Sequence, residues 1–132
     1  MTIIKAILRV LFGAAFIFAG VSHFLQPSVW VPIVPPYLPF PLALVYISGA
    51  AEIAFGALLM VPAASQAAAW GLIALLIAVF PANIHMALNP ELFPQMSRGA
   101  LLGRLPIQGV LIAIAYWFTR RSTTARRSPR TT

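Results

Sequence analysis

Residues 10–21 read VLFGAAFIFAGV, an uninterrupted run of apolar and small residues inside an apolar stretch at about 3–24. A helix of about 20 residues is long enough to cross the hydrocarbon core of a bilayer. A charged start followed by an apolar run is also typical of a signal peptide, but no small-residue cleavage site follows and further apolar spans do. We therefore expect an uncleaved transmembrane helix at about 3–24.

Further apolar stretches follow this first one at about 42–61, 66–88 and 101–119. The last must begin near residue 101, because a helix starting at Pro106 would rise only about 21 Å, less than the hydrocarbon core. The sequence thus predicts an all-α fold, a polytopic membrane protein with a four-transmembrane-helix bundle. It forms one domain at 1–119, followed by a basic, disordered cytoplasmic tail at 120–132.

Composition supports a membrane protein and excludes several kinds of chemistry. Of 132 residues, 61% are hydrophobic and 8% charged, against about 25% charged in soluble domains. Mean hydropathy is +0.91. The net charge of +7 comes mostly from arginines in the tail, which indicates membrane topology and not nucleic-acid binding. The chain has no cysteine, which removes dithiol redox chemistry, iron–sulfur ligation and thiolate nucleophiles.

The segment between the first two spans is rich in proline and aromatic residues, so it cannot be helical throughout. It is also too apolar for a free aqueous loop, and we expect this outer loop to lie among the headgroups or over one mouth of the bundle. Lys5, Arg9 and the five tail arginines flank one side of the spans, whereas Arg98 and Arg104 flank the other. The distribution predicts a multi-pass protein of the inner (plasma) membrane with both termini cytoplasmic.

Polar residues inside the predicted spans are the candidate functional residues, because ionisable groups in a bilayer are costly. Glu52 lies near the middle of the second span. Ser48, Glu52 and Gly56 recur at four-residue spacing beside Gly49, giving a small, polar stripe suited to close helix packing. Glu52 is either a packing residue, paired or protonated, or a functional carboxylate that moves a proton or binds a ligand.

The other polar positions all lie towards the outer half of the spans: His23, Asn83, His85, Arg104 and Gln108. Asn83 and His85 are about 200° apart around a helix, so both cannot point into the same cavity. Arg104 is the basic residue best placed to reach Glu52, and we expect these two to form an ion pair that keeps the carboxylate ionised.

A metal site built from His23, His85 and Glu52 is not predicted. The ligand types would suit zinc or non-haem iron, but the residues come from separate helices without a local i, i+3 or i, i+4 pair. The simpler interpretation is that the two histidines lie at the membrane interface with their hydrogen bonds satisfied.

Taken in order, the segments GVSHFLQPSVW, ISGAAEIAFGALL, FPANIHMAL and RLPIQGVLIAIAYW resemble the DoxX-like family of small four-helix membrane proteins over about residues 8–119. The family takes its name from a small subunit associated with a thiosulfate:quinone oxidoreductase. The resemblance implies the same fold and marks His23, Glu52, Asn83, Arg104 and Gln108 as its polar landmarks.

No catalytic residue, metal or cofactor is named from the sequence. We expect an accessory or binding subunit of a membrane redox system that holds a quinone or lipid-like molecule at Glu52, Arg104, Gln108, Asn83, His23, His85 and Ser48. Two other functions stay open. One is a membrane assembly factor that contacts a membrane protein partner or a second copy through small residues such as Gly49, Gly56 and Gly71. The other is a proton-coupled small transporter.

Overall fold

The protein is built from helices in the computed structural model, which describes residues 2–120. In chain order the α-helices are α1 (Thr2–Leu25), α2 (Pro27–Trp30), α3 (Pro41–Leu59), α4 (Ser65–Leu88) and α5 (Arg98–Thr119), with 3-10 turns at Val31–Ile33 and Pro90–Leu92. Residues 2–120 contain no strand, which confirms the predicted all-α class. The predicted basic tail lies outside the described residues except for Arg120.

The four long helices, α1, α3, α4 and α5, are long and apolar enough to cross a membrane. Their most apolar windows have mean hydropathies of 1.5 to 2.0, yet at most 22% of any window is buried inside the protein. Large apolar side chains such as Phe18, 80% exposed, therefore face outward. A helix that is apolar all round and still exposed is typical of a bilayer environment.

Two helix bounds differ from the predicted ones, for local reasons. Helix α5 begins at Arg98 and not near 101, because the Ser97 Oγ atom accepts a hydrogen bond from the Ala100 backbone amide at 3.1 Å and caps the helix. Helix α3 ends at Leu59 and not near 61. The chain tightens there into i→i+3 bonds before Pro62, since a residue that precedes proline disfavours helical geometry.

Glycines set the contact between α1 and α3. A Cβ atom added to Gly20 would lie 2.5 Å from the Gly49 carbonyl oxygen, and one added to Gly13 would lie 2.5 Å from the Gly56 carbonyl oxygen. Gly13 and Gly20 are seven residues apart, as are Gly49 and Gly56, so the pairs recur two helical turns apart along antiparallel helices. The two backbones therefore touch directly, as small residues permit in membrane helices.

The remaining contacts enclose the space between the helices. Helix α4 packs against α3 and α5, and an apolar cluster that includes Phe16, Leu72 and Phe118 fills one end of the bundle. At the other end, residues 26–40, here called the lid, pack against α1, α3 and α4. The proline-rich segment thus folds over one end of the bundle.

Candidate functional site

A cavity of about 670 Å³ lies between α1, α3, α4 and α5, below the lid. Its size falls in the range of about 300–1,000 Å³ that small-molecule sites occupy. Six of the seven predicted site residues line it, namely His23, Ser48, Glu52, Asn83, Arg104 and Gln108. The rest of the wall is almost entirely apolar. The structure therefore brings together, in one pocket, polar residues from all four long helices.

His23 and Glu52 form the polar group on the α1–α3 side of the cavity. In an α-helix each side chain leans towards the N-terminus of its own helix. Because α1 and α3 are antiparallel, the side chains of His23 and Glu52 lean towards each other. The His23 Nε2 atom lies 3.5 Å from the Glu52 Oε2 atom. Among the described residues, neither of these two buried atoms has a hydrogen-bond partner.

The second ring nitrogen of His23 defines the protonation of this pair. Its Nδ1 atom lies 2.9 Å from the Val45 carbonyl oxygen, and a carbonyl oxygen only accepts, so Nδ1 carries a proton. A lone pair on Nε2 opposite an ionised carboxylate would be repulsive. The arrangements that avoid this repulsion, imidazolium with carboxylate or imidazole with carboxylic acid, are both neutral overall.

Ser48 supports the same histidine from the preceding turn of α3. Its Oγ atom donates to the Val45 carbonyl oxygen at 3.0 Å and lies 3.2 Å from the His23 Nδ1 atom. The Trp30 ring of the lid covers the imidazole, with 4.2 Å between ring centroids. The imidazole is thus held between α3 and the lid, with only its Nε2 edge directed at Glu52.

A second polar group lies on the α4–α5 side of the cavity. The Arg104 Nε atom donates to the Asn83 Oδ1 atom at 3.3 Å. Asn83 Nδ2 donates in turn to Gln108 Oε1, and Gln108 Nε2 donates to the Leu76 carbonyl oxygen. This directed chain of hydrogen bonds, here called the amide chain, joins α5 to α4. Gln108 is only 2% exposed.

The predicted ion pair between Glu52 and Arg104 is wrong. The structure pairs Glu52 with His23 and directs the Arg104 guanidinium to Asn83. The reason is steric: the glycine contact brings α1 directly against α3, so the imidazole reaches the carboxylate first. On α5, the amide one turn from Arg104 is anchored on α4 and draws the guanidinium to that helix.

Arg104 consequently has no counter-ion among residues 2–120. The chain has two acidic residues, Glu52 and Glu91, and across residues 2–120 the one acid–base contact within 4 Å is that between His23 and Glu52. Arg104 is also only partly exposed. A cation that lines an apolar cavity without a counter-ion favours an anionic or strongly accepting group beside it.

His85 is the predicted site residue that does not line the cavity. Its Nδ1 atom lies 3.1 Å from the Asn89 Nδ2 atom, and its ring packs edge-on against Phe93. This is the outcome that the angle between Asn83 and His85 required, since only one of them could face the bundle interior. The part of the chain that the structure describes holds no group of three histidine or acidic side chains able to bind a metal.

Two contributors to the site escaped prediction. Gly13 and Gly20 bring α1 against α3, and the Leu76 carbonyl anchors the amide chain. The equal seven-residue spacing of the two glycine pairs was a usable signal. The choice of Leu76 was not, because no local feature of the sequence marks its carbonyl oxygen as the acceptor.

Fold and cavity together define a small four-helix bundle with apolar outer surfaces and an internal pocket that is apolar except for six polar side chains. The chain belongs to the family described as Domain of unknown function (DUF8561), whose sequence profile matches residues 12–119. This match begins within α1, at residue 12, and covers α3, α4 and α5 completely. No curated protein and no solved structure matches the chain.

Proposed function

We propose that this chain is an integral membrane protein that holds a membrane-soluble small molecule, of quinone or lipid-like chemistry, in the cavity between its four long helices. The observation that carries this proposal is the cavity of about 670 Å³ itself, with six polar side chains on an apolar wall. Sites of this kind bind ligands through burial of apolar surface and orient them through a few polar groups.

The proposed partner of such a binding subunit is a membrane redox enzyme. This part rests on the resemblance to DoxX-like proteins, because residues 2–120 offer no redox centre of their own among their side chains. The protein would then retain or present the ligand, while the chemistry takes place in the partner. No reaction is assigned to this chain.

The proposed orientation places both termini in the cytoplasm of a cell with an inner membrane. Lys5 and Arg9 lie at the start of α1, and the Lys5 Nζ atom donates to the Arg120 carbonyl oxygen beyond α5 at 2.5 Å. Basic residues from both termini are thus gathered at one end of the bundle, as the positive-inside rule favours. Activity of reporter domains fused to either terminus tests this orientation.

The glycines that helped to suggest the assembly-factor hypothesis are used inside the bundle. Gly49 and Gly56 contact α1, and a Cβ atom added to Gly71 would lie 2.6 Å from the Phe55 ring. These small residues are used inside the bundle and do not form an outward surface for another helix. We therefore favour ligand binding over helix-to-helix assembly.

Native mass spectrometry of the protein extracted gently from its own membranes tests the proposal. Wild type is compared with Glu52→Gln and, as a matched control, with Glu91→Gln, the other acid of the chain, which lies in an exposed turn outside the cavity. We expect a bound small molecule in wild type and Glu91→Gln that is reduced or absent in Glu52→Gln. If all three proteins carry no small molecule but each is bound to a second polypeptide, the result would instead support the assembly-factor hypothesis.

A further inference from the structure

The ionisable side chains that line the cavity do not balance in charge. Of His23, Glu52 and Arg104, the first two face each other at 3.5 Å, and with Nδ1 protonated the arrangements that avoid repulsion between them are neutral overall. The third is a guanidinium, which stays protonated in proteins. The wall of the cavity therefore carries one net positive charge, located at Arg104.

The hydrogen bonds of Arg104 leave most of its donors unused. A guanidinium has five N–H groups, and within residues 2–120 the bond from Nε to Asn83 is its one hydrogen bond. The two Nη atoms thus keep their donors for a ligand. Asn83 and Gln108 each donate within the amide chain, so the polar feature presented on this side is a planar, cationic donor that matches a carboxylate in a bidentate manner.

The remainder of the cavity restricts the size of the head group. The lid residues that line it are Trp30, Ile33, Val34, Pro35 and Leu38, whose side chains offer almost no polar atoms to a bulky, hydrated head. A head group with further hydroxyls or a sugar would be left with unsatisfied polar atoms there. A carboxylate is small enough to be satisfied by the Arg104 guanidinium alone.

The rest of the wall indicates an acyl chain and access from the side. Ile47 and Ile107 both line the cavity and are 64% and 59% exposed, so the cavity is open beside them. The cavity therefore reaches the apolar surface of the helices well away from their ends. A molecule dissolved in the bilayer could enter there, and the volume suits one long chain better than a complete two-chain phospholipid.

We propose that the cavity binds a long-chain carboxylic acid in its anionic form, with the carboxylate on the Arg104 guanidinium and the acyl chain along the apolar wall. This inference rests on the proposed function and narrows its quinone or lipid-like ligand to a long-chain acid. A neutral quinone could accept a hydrogen bond from Arg104 but could not neutralise its charge. A guanidinium and a carboxylate can in addition form two parallel N–H···O bonds, which add both energy and geometric specificity.

Quenching of Trp30 fluorescence tests the inference. Trp30 lines the cavity, and Trp70→Phe with Trp117→Phe leaves it as the sole tryptophan of the chain. This single-tryptophan variant is titrated in detergent with three probes: 9,10-dibromostearate, its methyl ester and decylubiquinone. The methyl ester has the same chain as the acid but no charge. The titrations are repeated with Arg104→Gln, with Arg104→Lys and with Arg98→Gln, an exposed arginine that serves as the matched control.

The expected result is saturable quenching by the acid, with binding roughly tenfold to a hundredfold weaker for the methyl ester and for the acid on Arg104→Gln. Arg104→Lys should recover part of the loss, and Arg98→Gln should bind as the parent protein does. Circular dichroism checks that each variant is folded.

Other outcomes separate this inference from the proposed function. Equal binding of acid and ester, or saturable quenching by decylubiquinone without quenching by the acid, would overturn the carboxylate ligand while leaving the binding cavity in place. A lysophosphatidylglycerol with the same dibrominated chain is titrated in the same way, and tighter binding of this lipid than of the acid would overturn the carboxylate ligand as well. Absence of saturable quenching by any of these probes in the folded protein would overturn both proposals.

Discussion

The α1–α3 contact and the α4–α5 contact border the same cavity but are built differently. Between α1 and α3, backbone meets backbone at the glycine pairs, with no room for even one additional carbon atom. Between α4 and α5, the amide chain of Asn83 and Gln108 spans the gap. Beside the cavity, the first contact is steric, whereas the second adds a chain of side-chain hydrogen bonds to apolar packing.

This difference explains why the polar residues separate into two groups. The steric contact brings the His23 Nε2 atom next to the Glu52 carboxyl group, and the two residues form a neutral pair. The amide chain holds Arg104 through a single bond to Asn83 and leaves its other donors unused. On the α1–α3 side, the His23–Glu52 pair is therefore neutral. On the α4–α5 side, Arg104 brings a positive charge to the cavity.

The largest expected effect on stability comes from filling the steric contact. In Gly20→Ala the new methyl group would meet the Gly49 carbonyl oxygen at 2.5 Å and the Ile53 Cγ1 atom at 2.7 Å. Overpacking of this kind typically lowers the free energy of unfolding by about 1–3 kcal/mol. Unfolding in mixed micelles, followed by circular dichroism, measures the change.

The control is Gly109→Ala on α5, where an added Cβ atom would meet nothing within 4 Å. Alanine is favoured over glycine in a helix interior by about 1 kcal/mol, so this change should be neutral or stabilising. Equal losses in Gly20→Ala and Gly109→Ala would show that the α1–α3 contact is not the steric one described above.

A smaller effect is expected from removing the amide chain. Gln108→Leu keeps an apolar side chain of similar size but leaves the Asn83 amide and the Leu76 carbonyl oxygen without their partner. Hydrogen bonds between membrane helices contribute about 0.6 kcal/mol each on average, so the removal of two should lower the free energy of unfolding by about 1 kcal/mol in the same assay.

Gln95→Leu, in the exposed loop before α5, is the matched control for this change and should leave the stability unaltered. A loss in Gln108→Leu larger than that in Gly20→Ala would reverse the comparison and make the amide chain the stronger of the two contacts.

The smallest effect on stability is expected for Glu52→Gln. Glutamine has the shape of glutamate, and its amide can donate to the His23 Nε2 atom, which forms no hydrogen bond at 3.5 Å from the carboxylate. The free energy of unfolding should stay within about 0.5 kcal/mol of wild type, while ligand retention falls. A loss above about 2 kcal/mol would instead indicate that Glu52 is a packing residue, as its place in the small-residue stripe also allowed.

Much of the candidate site followed from a single rule, that polar groups are costly in apolar spans. Six of the residues chosen by that rule line one cavity. The rule cannot assign partners, because partners depend on which helices touch and at what register. Glu52 and Arg104 were the plausible pair by charge alone, yet the glycines place His23 next to the carboxylate. His85 satisfied the rule equally well and lies outside the cavity, on another side of α4.

The sequence by itself determined the all-α class, the four apolar spans and the approximate limits of the helices, since length and hydropathy act locally along the chain. Only the tertiary structure decided that a cavity exists, that the lid covers it, and that Arg104 enters it without a counter-ion. Those features depend on the close approach of backbones at Gly20 and Gly49 and on a side-chain bond from Gln108 to a particular carbonyl oxygen. Such contacts join residues far apart in the chain. The spacing of the glycines indicates that a close approach is possible, but no local property of the sequence specifies which helix or which carbonyl oxygen is met.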